Sequence, residues 1–379
     1  LNEDRASRYH RLKRRASVVS LLWSVALLGG LLWTGLSLGL RSFAESAAGA
    51  VVFHFSPARA VVPQLTVIVY VCLLMLLSEL GNVQIGFYAG FLLERRYGLS
   101  NERFGAWLRD RIKALGVGLI FGSVGALILY TLMTASHEWW WLTAGLIFAV
   151  IVVGLTQLAP VLLLPLFYRL KPLDRETLKM RLLALADRSG ARVLGAYEWG
   201  LGEKTKKANA ALTGLGATRR ILVSDTMLAE YSDDEIEVVL AHEIAHHVHG
   251  DIWKGIVFES GLILGGFYLA ARVLRALALP LGLRDVADVA GLPLLLLAAG
   301  AVSFLAVPLA HAMSRAYERS ADRFALNLTR NPEAFISAMR RLGNQNLAEE
   351  HPSKIVQWLF YSHPPMRERI AAAQAFANR

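Results

Sequence analysis

Six stretches of this chain are long, apolar and almost free of charge: 18–40, 63–92, 112–135, 139–167, 252–280 and 286–312. A helix rises about 1.5 Å per residue, so some 20 apolar residues cross the hydrocarbon core of a bilayer. The composition points the same way, with 55% of residues hydrophobic and 18% charged, more apolar than an ordinary soluble domain. We therefore expect a mainly α, polytopic helical membrane protein of about six spans. The 379 residues divide into a membrane region with four spans (1–167), an α/β segment (168–251), two further spans (252–312) and a C-terminal part (313–379).

Charge orients the spans. "RYHRLKRR" (8–15) precedes the first, and "ERRYGLSNERFGAWLRDRIK" (94–113) joins the second to the third. The joins at 41–62, 136–138 and 281–285 carry few Lys or Arg. The positive-inside rule then places both termini, 94–113, 168–251 and 313–379 in the cytoplasm. A multi-pass protein of a bacterial inner membrane is expected. The net charge of +10 is explained by these flanking positions, so the bilayer is the expected partner and nucleic acid is not. A single cysteine, Cys72, rules out an intrachain disulfide. "RLKRR" followed by an apolar stretch and "AESAAGA" can also be read as a signal peptide, although the stretch exceeds the usual core length.

Glu79, Asn82, Gln84, Gln157 and Glu259 fall within or near the spans. Charge facing lipid is costly, so such groups turn inward. They suit either a hydrated chamber or hydrogen bonds between helices.

Between the fourth and fifth spans, "DRETLKMRLLALADRSG" (174–190) has helical spacing and stops at a glycine. "ARVLGAYEWG" (191–200) reads as a strand, and 207–228 as two strands about a Gly-rich turn. Ser232 stands three residues before Glu235, a capping box that opens a helix. That helix carries "LAHEIAHHVHGD" (240–251). His242 and His246 are one turn apart on one face, the spacing with which two imidazoles meet one metal ion. Glu243 points to the neighbouring side, where it can take a proton from a water beside the metal. This is the H-E-x-x-H arrangement of zinc peptidases; a polar face that merely happens to be rich in histidine is the competing reading. His247 and His249 lack the two-ligand spacing and suit surface or supporting roles.

A catalytic zinc needs a third protein ligand and an open position. "SRAYERSADRFA" (314–325) offers Glu318 as that ligand, with Asp322 to accept the outer N–H of a ligating histidine. An ordinary solvated helix with Arg–Glu–Asp pairs explains the same segment. Favouring the metal, His246 lies about seven residues before the fifth span and Glu318 about six after the sixth, both roughly 10 Å from the membrane. Helices continuing out of the bilayer side by side would bring the three groups to one depth.

The stretches 91–113, "KANAALTG" (207–214), "RRILVSDTML" (219–228), 240–251, 314–325 and "YSHPPMRERI" (361–370) together resemble the type-1 CAAX prenyl protease family of integral-membrane zinc endopeptidases, with the bacterial heat-shock protease HtpX as a distant relative. The resemblance implies a zincin-like α+β catalytic region on a membrane base that encloses a chamber. It implies one zinc per chain on His242, His246 and Glu318, with Glu243 as general base and Asp322 behind a ligand. It further implies that the strand at Asn209 and Ala210 pairs with extended peptide, and that His363 and Arg369 lie near the scissile carbonyl. From the residues alone Asn209 serves equally as a turn residue, "SHPP" as a rigid turn and Arg369 as a surface charge. Departures from the family include His247 at an often aromatic position and Gly250-Asp251 in place of Gly-His.

The expected function is zinc-dependent endopeptidase action on a peptide or protein substrate, lipidated or membrane-bound. Two alternatives remain: an HtpX-like quality-control protease, and a channel or scaffold whose zinc is structural, with His249 or His363 as a fourth ligand.

Overall fold

The computed structural model describes residues 2–55, 59–214 and 219–378. The membrane part contains α1 (Asn2–Trp33), α2 (Leu36–Phe55), α3 (Val62–Gly86), α4 (Leu93–Arg96), α5 (Phe104–Ala135), α6 (Trp140–Leu162) and α7 (Leu164–Phe167). Strand β1 (Leu170–Pro172), α8 (Glu176–Arg188), β2 (Gly195–Trp199), β3 (Ala210–Thr213), β4 (Arg220–Ser224), α9 (Asp225–Glu230) and α10 (Asp233–Val248) follow. The chain closes with α11 (Asp251–Leu277), α12 (Leu292–Thr329), α13 (Pro332–Gln345), α14 (Lys354–Phe360) and α15 (Met366–Ala377). Among the described residues six helical segments are long and apolar enough to cross a membrane, beginning at Arg5, Val62, Phe104, Trp140, Asp251 and Val289.

The first apolar run is divided. Hydropathy predicts one span over 18–40, but α1 ends at Trp33 and Gly35 turns the chain at φ +72°. A side chain is strained in that conformation and glycine is not. The next stretch, expected to be a join, forms α2. Ser37, Ala44, Ala48 and Val52 are buried along one stripe of it, at the spacing of a helix face packed on a neighbour. "AESAAGA" lies within this helix. Beyond Gly86 the second span continues through a π-helical segment, Phe87–Leu92, into α4.

The spans enclose a cavity of about 690 Å³. Ser24, Met75, Phe121, Phe148, Leu262 and Leu295, one from each of the six spans, contribute to its wall. Of the polar residues of the spans, two join helices and one faces the cavity. Arg111 Nε donates to Glu79 at 2.6 Å and Ser20 to Asn82 at 2.7 Å, tying helices together, whereas Glu259 faces the cavity.

The sheet runs β1-β2-β4-β3; β2 and β4 are parallel, the outer pairs antiparallel. The turn between β3 and β4, residues 215–218, lies outside the described residues. The core joins Leu182 and Leu185 of α8, Ile221 and Val223 of β4, and Ile236 and Leu240 of α10. Ala325 and Leu326 of α12 and Phe335 of α13 enter the same core. The sixth span is therefore one continuous helix that crosses the 312/313 boundary and ends inside the sheet-bearing part. The fifth is not continuous with the helix before it: Gly250 at φ +67° separates α10 from α11.

Helix α10 starts where expected. Ser232 Oγ accepts from Glu235 N–H and Glu235 Oε2 accepts from Ser232 N–H at 2.8 Å. Losing an N-cap side chain costs about 1 kcal/mol. Ser232→Ala should lower unfolding stability by about 1 kcal/mol, seen as a lower thermal midpoint, while leaving metal content at wild-type level.

Candidate metal centre

Helix α10 presents His242 and His246 on one face with their rings 5.0 Å apart and nearly perpendicular. Glu318, on α12 and 5% exposed, stands between them. His242 Nε2 is 3.3 Å from Glu318 Oε2, and His246 Nε2 is 3.5 Å from Glu318 Oε1. One ligand atom from each residue lies within 4.8 Å of the other two.

The donor set fits a metal ion. Two neutral imidazole nitrogens and one carboxylate make a preformed site of the kind that holds a divalent cation. Glu318 Oε2 is buried without an aligned hydrogen-bond donor, an arrangement that costs free energy unless something positive meets it. His363 Nδ1 does approach that oxygen at 2.9 Å, in ion-pair contact without hydrogen-bond alignment.

The outer face of each imidazole is anchored. Asp322 Oδ1 is 2.8 Å from His242 Nδ1 and Asp251 Oδ2 is 3.1 Å from His246 Nδ1. Each carboxylate favours the Nδ1–H tautomer that turns Nε2 toward Glu318, and at His242 Arg369 Nη2 also stands 3.2 Å from Nδ1. Asp322 is in turn gripped by Arg369, whose Nε and Nη2 donate to its two oxygens at 2.9 and 2.6 Å. Arg369 is buried, and Nη2 lies 3.9 Å from Glu318 Oε2. A surface charge is thus excluded for Arg369.

Charge is concentrated here. Burial alone would lower the His242 imidazole, but the carboxylates of Asp322 and Glu318 outweigh it and hold it up at about 9. Burial also opposes the charged form of His246, and Glu318 more than compensates. Metal binding must displace these protons, so it weakens as pH falls. Desolvation raises the Glu243 carboxyl above its ordinary range, the direction required of a general base working near neutrality.

Strand β3 is at the sheet edge. Ser224 N–H donates to the Asn209 carbonyl at 2.9 Å, and Asn209 N–H donates to Ser224 Oγ at 3.0 Å. Antiparallel pairing alternates, so Ala210 and Leu212 turn their main-chain groups away from β4. His247 Nε2 takes the Leu212 carbonyl at 2.9 Å, so His247 joins α10 to the strand and is not a surface residue. His249 sits against Ser320 and the edge of Phe324.

His363 is on the non-helical segment between α14 and α15, with a side chain 60% exposed. That segment is held at Tyr361. Arg315 Nη1 donates to the Tyr361 carbonyl at 2.7 Å, and the Tyr361 hydroxyl donates to Glu349 at 2.5 Å. Arg14 of α1 also reaches Glu349, at 2.6 Å.

Sequence reasoning missed Asp251. It stood out only as a departure from the family pattern, yet the left-handed Gly250 folds it back onto His246. The available signal was a carboxylate next to a glycine immediately after a two-histidine helix. Asp322→Asn keeps the shape and removes the charge behind His242. Such outer partners are worth about 10- to 100-fold in metal affinity, a loss that competition with a chelating dye should register while the fold persists.

Comparison with known proteins follows the same lines. Residues 172–377 match peptidase family M48, and residues 3–169 match the CAAX prenyl protease N-terminal family, described by five membrane helices. A Bacillus subtilis protein described as an uncharacterized metalloprotease, YhfN, is 30% identical over 352 residues, covering 92% of this chain and 80% of that one. CAAX prenyl protease 1 of Saccharomyces cerevisiae is 28% identical over 339 residues, covering 81% of this chain and 72% of that protein. The crystal structure of S. mikatae Ste24p has the same fold, with a TM-score of 0.83 at 22% identity, over 98% of this chain and 88% of its own.

Proposed function

We propose that this chain, which belongs to peptidase family M48 and is a multi-pass membrane metallopeptidase, uses one zinc ion held by His242, His246 and Glu318 to cut lipidated or membrane-bound peptides on the cytoplasmic face of a bacterial inner membrane. The observation that carries this reading is the convergence of those three side chains, with Glu243 beside them on the same helix. Zinc favours this mixed nitrogen and oxygen set, and when bound it polarises a carbonyl and favours loss of a proton from water.

The chain's own residues do the rest. The outward main-chain groups of Ala210 and its neighbours hold the peptide in extended form, as a further strand, whatever its side chains. Asn209 fixes the start of that edge. Glu243 takes the proton from the attacking water and delivers it to the leaving amine. His363 is accessible and near Glu318, so it is suited to donate to the oxygen on which charge develops. Arg369 supports the same chemistry from behind, by fixing Asp322 and through it the orientation of His242.

The cavity among the spans favours a lipidated or membrane-embedded substrate, and the relatives named CAAX prenyl protease 1 suggest prenylated peptides as one class. The cytoplasmic placement rests on charge: the basic stretches before α1's apolar run and at 94–113 lie on the side of the sheet, where Lys13 of α1 and Lys207, just before β3, both pair with Glu94.

The test is cleavage mapping by mass spectrometry. Purified protein is incubated with a peptide library whose members occur with and without a farnesyl group. It is tested untreated, after chelation, and after zinc is restored. Discrete cuts that vanish on chelation and return with zinc support the reading. Cutting that survives chelation, or never occurs, contradicts it. Broad cutting of unlipidated membrane proteins would favour the quality-control alternative.

A further inference from the structure

Glu259 is the one ionisable group among the described residues lining the intramembrane cavity. It lies on α11, eight positions beyond Asp251, and its side chain is exposed at a space otherwise walled by Leu, Ile, Phe, Val, Met, Ala, Gly and three serines. The carboxylates near it in the sequence and the spans are spoken for: Asp251 by His246 and Lys254, Glu79 by Arg111. Among the described residues none forms a hydrogen bond or ion pair with Glu259. A carboxylate inside a membrane span without a counter-charge is costly, and such groups mark the path of a substrate or ion.

We infer that Glu259 receives the ammonium or guanidinium of a lysine or arginine in the peptide substrate, and so selects for a basic residue at a fixed distance from the scissile bond. The inference rests on the peptidase reading above. Eight residues of helix separate Glu259 from Asp251 by about 12 Å along the helix axis, and Asp251 touches His246 at the metal centre. An extended peptide advances about 3.3 Å per residue. For a peptide that runs from the metal centre alongside α11 into the cavity, the basic side chain sits about four residues from the cut bond. The hydrocarbon wall accepts apolar neighbours on either side of it, so the preferred sequence is one basic residue in an apolar setting. The low dielectric of that wall strengthens the pairing of the two charges.

The experiment uses the full chain in nanodiscs and a set of apolar peptides sharing one cleavage site, each with a single lysine moved one position along. The readout is kcat/KM for each lysine peptide divided by that for the parent without lysine, measured within one protein. For the wild type this ratio should peak about tenfold above one at a single register about four residues from the cut. In Glu259→Gln the peak should collapse toward one, and in Glu259→Lys a glutamate at that register should replace lysine as the favoured residue. A flat scan in the wild type overturns the inference, as does a peak unchanged in Glu259→Gln. If both variants fail to fold, the wild-type scan still decides. A wild type that cuts none of the peptides overturns the peptidase reading and this inference with it; one that cuts all equally overturns the inference alone.

Discussion

Glu243→Gln should leave the protein folded and its metal in place while lowering kcat/KM for peptide cleavage by about 10²- to 10⁴-fold, the usual contribution of a positioned general base. Glutamine keeps the size of the side chain and its place on the same capped helix, and it coordinates none of the atoms around Glu318. It cannot take a proton. Desolvation raises the Glu243 carboxyl, so its charged form is lost earlier, as pH falls, than that of an exposed glutamate. Wild-type activity should thus show an acid limb above the ordinary carboxylate range. The residual activity of the variant should lack that limb. Wild-type turnover in the variant would remove Glu243 from the chemistry.

Glu318→Ala should have the other large effect, and on a different quantity. It removes the carboxylate between the two imidazoles, which the alternation of contacts at 3.3 and 3.5 Å places on both. Metal affinity should fall by more than the roughly 10- to 100-fold expected for an outer partner such as Asp322, and activity should fall with it. Elemental analysis after dialysis separates this variant from Glu243→Gln: the first should lose metal, the second keep it. The variant also removes one of the carboxylates around the buried Arg369, so thermal unfolding measured in parallel shows whether the loss is one of metal or of structure.

The parts of this architecture that could be read from the chain are those set by local spacing. The capping box of Ser232 and Glu235 located the start of α10, and a four-residue interval put His242 and His246 on one face. Glu318 and Asp322 could be related to them because α12 is a single helix, so distance along the sequence became height above the membrane. Where the chain bends, that conversion failed. Nothing in the hydropathy of 18–40 distinguishes a span from a span, a turn and a second helix; only Gly35 does, and glycines are common in apolar runs. The same holds at Gly250, where a left-handed residue brings Asp251 to His246 across a break that spacing rules for a continuous helix do not cover. The contacts of Arg369, which only the family resemblance had pointed to, and of His247 could not be read from spacing for a further reason. Their partners, Asp322 and the Leu212 carbonyl, lie 47 and 35 residues away, and only tertiary packing decides that such pairs meet.

His242, His246 and Glu318 should hold one catalytic zinc with a position left open for chemistry. Anomalous diffraction at the zinc edge tests it most directly. One peak per chain is expected, bonded to Nε2 of each histidine and to the Glu318 carboxylate, with a non-protein atom in the fourth position. A peak whose fourth ligand is His363 or another side chain would describe a closed, structural site and contradict the account, as would a zinc bound anywhere else.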